Sequence, residues 1–280
     1  LRVQIKEINR GKRQLICEVE HQPGAEITVQ YDVSNVNDVF NDSVELFWEG
    51  AQLNLIDYTE DRKGIVTPKM IVLEPDYLID ASAVAECFHD FCTTPMHFFR
   101  NRFETVDNRS YILLGNLANF FLDELIFAED HDSVSFNDTF LESFKQSPFE
   151  YTSCEDIASR AGFGLFWDSA KTQFSNIKRV ILDDFPEIGI KLHNCTLEPS
   201  FFSEKYGFQG RLDLLHKDNN QYKIIELKSG KLPYPAYDMG KIADNHRVQT
   251  AVYRMMIDSV FGAESRDIDA AILYSSGVQP

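Results

Sequence analysis

Cysteine is scarce in this chain of 280 residues, which has five: Cys17, Cys87, Cys92, Cys154 and Cys195, none in a CxxC pair. An odd count without framework spacing excludes a disulfide-built scaffold. It points instead to reduced thiols in a cytoplasmic compartment, most of them acting as small buried hydrophobes. No run of about 18 apolar residues occurs, so no transmembrane helix and no membrane partner are expected. The N-terminus, "LRVQIKEINRGKRQ", has no apolar h-region and is not a secretory signal. There is no internal repeat and no low-complexity tract. There is also no GxxxxGK[ST] phosphate loop, so any motor lies outside this segment or in another chain. Positive charge is short as well: 27 Lys and Arg against 44 Asp and Glu leave a net charge of −17. That balance argues against tight nonspecific grip on nucleic acid by the whole surface. It is compatible with acidic side chains gathered for metal ions, with a local basic groove, or with a partner that does the gripping. The chain begins with Leu and closes with "AAILYSSGVQP", a strand running into a loop, so it reads as a segment excised from something longer.

What is present is a globular composition, 44% hydrophobic and 25% charged, long enough for one large domain or two smaller ones. Residues 1 to about 75 read as β. "LRVQIKEI", "QLICEVEH", "ITVQYDV", "SVELFWEG" and "MIVLEP" are short, partly alternating runs between turn-rich pieces. They suggest a small barrel or sandwich. From about residue 80 the pattern turns helical. "DASAVAECFHDF" reads as a helix capped by Asp80 or Ser82, and "SYILLGNLANFFLDELIFAED" as a long apolar one. Residues 132–150 look irregular. "SCEDIASRAGFGLFWDSAKTQFSNIKRVILDDF" reads as one helix or two, with a capped start at Ser153–Asp156. A hairpin at 210–231 follows, then a helix in "ADNHRVQTAVYRMMIDSVFG" and a strand in "AAILYS".

The hairpin "GRLDLLHKDNNQYKIIELKSGK" carries the chemistry. A two-residue turn at Asn219–Asn220 places Asp213 opposite Glu226 and puts Lys228 on the same face. Two carboxylates about 5 Å apart repel unless a cation lies between them. Oxygen-only ligation suits Mg²⁺ or Mn²⁺, which activates water and polarises phosphate, with Lys228 orienting that water or stabilising charge on phosphorus. The plain alternative is an exposed hairpin face bearing an ordinary ion pair. In "NHRVQTAVY", His246, Gln249 and Tyr253 fall on one helical stripe, either half-buried packing or a helix lying across the open end of the hairpin.

As a set, "GRLDLL", "IIELKSGK" and "HRVQTAVY" resemble the motifs of RecB-type nucleases in the PD-(D/E)XK superfamily. "EKYGFQGRLDLL" and "IVLEPDYLIDASAVAECFHDFC" are similar to stretches of the flap-processing, Okazaki-fragment helicase–nuclease family. The resemblance implies an α/β fold. It would be a restriction-endonuclease-like core with a mixed sheet over 81–280, a helical insertion at about 130–195, and a small OB-like β-barrel over 1–80 before it. It implies Asp213 and Glu226 as catalytic metal ligands with Lys228 beside them, and Gln249, Tyr253 and His246 as supporting or substrate-binding residues. Where that family places a His four residues after a helical Gly, this chain has Asn119 after Gly115. Asn119, Asp123 one turn on, and Glu198 in "CTLEPSFF" are therefore further candidate metal ligands. An iron–sulfur cluster is not expected: Cys92 stands near the first ligand position, but no later trio of cysteines is present. The implied activity is hydrolysis of single-stranded DNA at flaps or resected ends. The implied partner is a helicase domain in the same longer chain or a separate one, in a cytoplasmic, nucleoid-associated setting rather than a nuclear one. Two readings stay beside it: a weakened nuclease fold that binds DNA or a protein, and an acidic structural domain.

Overall fold

Two-residue alternation builds the first part of the computed structural model, which describes residues 1–105, 107–232, 242–262 and 267–276. In β1 (Arg2–Asn9) Val3 and Ile5 are buried, and in β2 (Gln14–Val19) Leu15 and Cys17. β3 (Glu26–Gln30) completes an antiparallel meander. β4 (Gln52–Ile56) pairs antiparallel with β1, and β5 (Thr59–Glu60) forms a hairpin with β6 (Ile65–Thr67), which runs parallel to β3. β7 (Met70–Leu73) lies antiparallel to β4. The strand expected in "SVELFWEG" is instead a short helix, Asn41–Val44, leading into turns. Val44 and Phe47 are both buried three residues apart, a helical spacing, and the strand falls just beyond, where Leu53 and Leu55 alternate inward.

Backbone contacts divide the chain into two units. The first holds Leu1–Asp80 and takes back Phe202–Gln209, where Phe208 and Gln209 pair in parallel with Ile79 and Asp80. The second holds Ala81–Phe201 and the described residues from Gly210 onward. Its longest helices among the described residues are α1 (Ser110–Phe127), α2 (Phe136–Gln146), α3 (Arg160–Arg179) and α4 (Asp244–Phe261). Its mixed sheet runs in the order β8 (Cys195–Leu197), β9 (Leu214–Asp218), β10 (Gln221–Lys228), β11 (Ile268–Tyr274). β10 is central, antiparallel to β9 and parallel to β11.

Leu113, Leu117, Phe121 and Leu125 of α1 and Phe166, Phe174 and Ile177 of α3 form one core with Leu214, Ile225 and Leu227 of the sheet. By length and mean hydropathy alone α1 is apolar enough to cross a membrane, although Asn116, Asn119, Asp123 and Glu124 interrupt its apolar run. Leu113, Leu117, Phe121, Leu122, Leu125 and Ile126 are buried in this core, while Tyr111 and Phe127 are exposed.

The stretch expected to be irregular is helical. Ser135 caps α2 by accepting from the Asp138 N–H, 3.2 Å. The inward stripe Phe136, Thr139, Phe140, Ser143 is masked in the sequence by its two hydroxyl residues, and Ser143 Oγ meets the Tyr151 hydroxyl at 2.8 Å. The helix expected from Asp80 stops at Ala85, and a small hairpin pairs Phe88–His89 with Cys92–Thr93. α3 starts six residues after the expected Ser153, at a Ser159 cap bonded to the Gly162 N–H. The loop expected after the closing strand falls mostly at 277–280, outside the described residues.

Candidate active site

The hairpin has the expected register: Leu214 pairs with Ile225 and Asp218 with Gln221 around Asn219, whose φ of 55° suits a tight turn. The ladder ends at Leu214, one residue short of Asp213. Asp213 is therefore not the flat cross-strand partner of Glu226 that the turn implied. The strand breaks there. The Asp213 carbonyl accepts from the Glu198 N–H at 3.0 Å, and its Oδ2 accepts from the Leu227 N–H at 2.6 Å. Asp213 thus holds the backbone beside Glu226 rather than facing its side chain squarely.

β10 is buried on both faces, which removes the exposed-face alternative. Ile225 and Leu227 enter the core, while Glu226, 4% exposed, turns toward α4. Glu226 Oε1 accepts from Lys228 Nζ at 2.9 Å and from Gln249 Nε2 at 2.7 Å. Lys228 Nζ also donates to Gln249 Oε1 at 2.9 Å. Gln249 Nε2 reaches the Tyr253 hydroxyl at 2.9 Å, which donates to the Arg211 carbonyl at 2.9 Å. One chain of bonds thus joins the end of β10, one stripe of α4 and the strand leading to Asp213. The third stripe residue stands apart: His246 Nδ1 meets the Tyr274 hydroxyl at 2.8 Å. Burial and then the Lys228 charge press the His246 pKa down to about 4, so it is neutral.

Gly210 is where the sequence makes room. A Cβ there would come 3.0 Å from Tyr253 Cε1 and 3.2 Å from the Ala81 Cβ. A side chain here would force Tyr253 or Ala81 to give by a few tenths of an ångström, so glycine suits this close approach of α4.

Beside the network a cleft of about 330 Å³ opens, lined by Asn119 and Asp123 of α1 with Glu198 and Arg211. Glu198 has φ 47°, rare for a side-chain-bearing residue, with Pro199 after it. Its carboxylate pairs with the Arg211 guanidinium at 3.2 Å. Sequence reading had not singled out Arg211; its signal is a cation two residues before Asp213 in "GRLD". Fully buried Gln173 was also missed. It donates to the Ser229 carbonyl and bonds Ser275, tying α3 to the ends of β10 and β11, and a Gln in a helix carries no sequence signal for that role.

The carboxylates strain against one another. Burial first, then the Asp213 charge, pushes Glu226 above the usual carboxylate range. Burial likewise raises Asp213, against the pull of the Leu227 N–H and of Lys228. Asp123 is pushed up to about 6 by burial, then by Glu198 and Asp213. Of the site oxygens, Glu226 Oε2 and Asn119 Oδ1 are buried with no hydrogen-bond partner among the described residues. Among the described residues no three His, Cys, Asp or Glu side chains already enclose a cation point. The donor chemistry nevertheless fits a hard divalent ion: crowded, half-neutralised carboxylates and orphaned oxygens, with no nitrogen or sulfur among them.

Residues 137–277, just over half of the chain, match the family model of the PD-(D/E)XK nuclease superfamily. The match spans Asp213, Glu226, Lys228, Gln249 and Tyr253, and begins after Asn119 and Asp123. A search of curated proteins gives no significant match. With its mixed sheet and its carboxylates gathered at a hairpin end, this chain belongs to the PD-(D/E)XK nuclease superfamily, whose members are metal-dependent nucleases.

Proposed function

We propose that this chain hydrolyses phosphodiester bonds of single-stranded DNA, at flaps or resected ends, with Mg²⁺ or Mn²⁺. One observation carries the reading. Glu226 is an ionisable group sealed in the domain with one oxygen held by Lys228 and Gln249 and the other unpartnered. A buried carboxylate left half-satisfied is costly to the fold, and such a cost is characteristic of a ligand-binding position.

Asp213 and Glu226 would hold the ion, with Asn119, Asp123 and Glu198 of the adjoining cleft as further candidate oxygens. The bound ion supplies Lewis acidity for the phosphate and a more acidic water. Lys228, fixed by two bonds 2.9 Å long, presents its ammonium where a water or a phosphate oxygen would sit. Gln249 holds both Glu226 and Lys228, and Tyr253 holds Gln249, so these two position the reacting groups.

The first unit supports an OB-like reading: a β1–β2–β3 meander, β6 parallel to β3, and β4 on β1. Such a module binds single strands in other contexts. The helicase association and a cytoplasmic, nucleoid-associated setting belong to the same reading. With no phosphate loop in the sequence, the motor would be elsewhere in a longer chain or a partner. A binding module is the competing reading, favoured by the neutral Asn119 at the position of a usual His.

Cleavage of end-labelled single-stranded DNA with Mn²⁺, Mg²⁺ or EDTA decides between them. Wild type should cut with metal only, and Glu226→Ala and Lys228→Ala should each lose at least about 100-fold. DNA bound but never cut would establish the binding module. Equal cutting by wild type and both variants would remove the site from this hairpin.

A further inference from the structure

The acidic cleft contains one cation of its own. Among the described residues that line it, Arg211 is the sole Lys or Arg, and it stands beside Asn119 and Asp123. Its backbone is locked, because its carbonyl takes the Tyr253 hydroxyl that ends the Glu226–Gln249 chain of bonds. Its side chain is not locked. It is 63% exposed, and its one ion pair among the described residues is with Glu198, itself 36% exposed, at 3.2 Å. An exposed single pair of this kind is weak. A guanidinium can grip a phosphodiester by two parallel bonds, with the same fork geometry it offers a carboxylate.

We propose that Arg211 is the phosphate-binding residue of this cleft, held in reserve by Glu198 and handed to the DNA backbone when a strand enters. The inference rests on the nuclease reading for its substrate, a phosphodiester strand. It adds a subsite two residues from Asp213, and it offers a polyanion one point of positive charge in a chain of net charge −17. Glu198 is the counterpart: its left-handed backbone, with its N–H on the Asp213 carbonyl, aims its carboxylate at Arg211.

The test is equilibrium binding of a fluorescein-labelled oligothymidylate to the whole chain in EDTA, across a series of salt concentrations. Arg211→Ala should weaken binding about tenfold and lower the salt slope by about one unit. Arg211→Lys should keep the slope and lose part of the affinity. Glu198→Gln, which frees Arg211, should tighten binding. The inference is overturned if wild type does not bind at low salt, or if Arg211→Ala leaves affinity and slope unchanged. Cleavage with Mn²⁺ by wild type and Glu226→Ala is run in parallel. Cutting that depends on Glu226 but binding indifferent to Arg211 would sink this inference alone. Binding that depends on Arg211 in a chain that never cuts would sink only the catalytic reading.

Discussion

Glu226 carries a conflict that a divalent ion would relieve. Burial first, and then the Asp213 charge beside it, raises its pKa to about 7 against a usual 4.5. The sign of the pH effect follows from linkage. An acid whose folded pKa is raised favours the fold while it is protonated, and that contribution is full below 4.5 and lost as pH rises through about 7. Metal-free protein should therefore lose stability between those two values, on the order of 1–3 kcal/mol from this group. Glu226→Gln should flatten that part of the curve. Urea unfolding in EDTA at pH 5 and pH 8 measures it, and a Gln variant with the wild-type slope would show that Glu226 titrates normally. Arg211, in contrast, is a residue whose environment only the folded chain reveals. In the sequence it is one charge in "GRLD", and in the structure it is the cation of an acidic cleft.

At the scale of elements, the site depends on how closely α4 meets the strand before Asp213. Gly210 sets that distance. Gly210→Ala would drive a methyl group against the Tyr253 ring at 3.0 Å, between two packed elements. It should cost about 1–3 kcal/mol as an overpacked contact and shift Tyr253 away from Gln249. Denaturant unfolding and the cleavage rate should both fall, whereas Gly230→Ala, where nothing lies within 4 Å, should leave stability nearly unchanged. The elements were unevenly legible. Long periodic stretches such as α1 and α4 announced themselves, as did the hairpin turn at Asn219–Asn220. The strand at "SVELFWEG" misled because its apolar residues fit two periods, and the core's demand at Val44 and Phe47 chose the helical one. α2 was hidden because Thr139 and Ser143 occupy its buried face, and Ser143 is satisfied by Tyr151, a partner eight residues away.

For the whole molecule, metal should act as a ligand that stabilises only the folded state. At a concentration of Mn²⁺ about 100 times its dissociation constant the expected gain is about 2.7 kcal/mol. It should appear as a rise in melting temperature that Glu226→Gln and Asp213→Asn both abolish. It should also grow from pH 6 to pH 8, because the carboxylates must lose their protons to bind. A melting temperature indifferent to Mn²⁺ at pH 8 would argue that the crowded carboxylates hold no ion. Net charge contributes at this scale too, since a chain at −17 gains from any bound cation.

The chemistry was written in the linear chain. Asp213, Glu226 and Lys228 are charges set into apolar strand sequence, and Gln249 and Tyr253 share a helical stripe, because strand and helix periods are local properties of the backbone. Only the tertiary structure decided how those residues meet. It broke the strand at Asp213, so that its carboxylate holds the Leu227 N–H instead of facing Glu226. It left His246 on Tyr274 while Gln249 and Tyr253 joined the site. It brought Asn119, Asp123, Glu198 and Arg211, spread over more than ninety residues of sequence, to one cleft. Long-range packing makes those choices, and local pattern carries no information about a neighbour that arrives from another part of the chain.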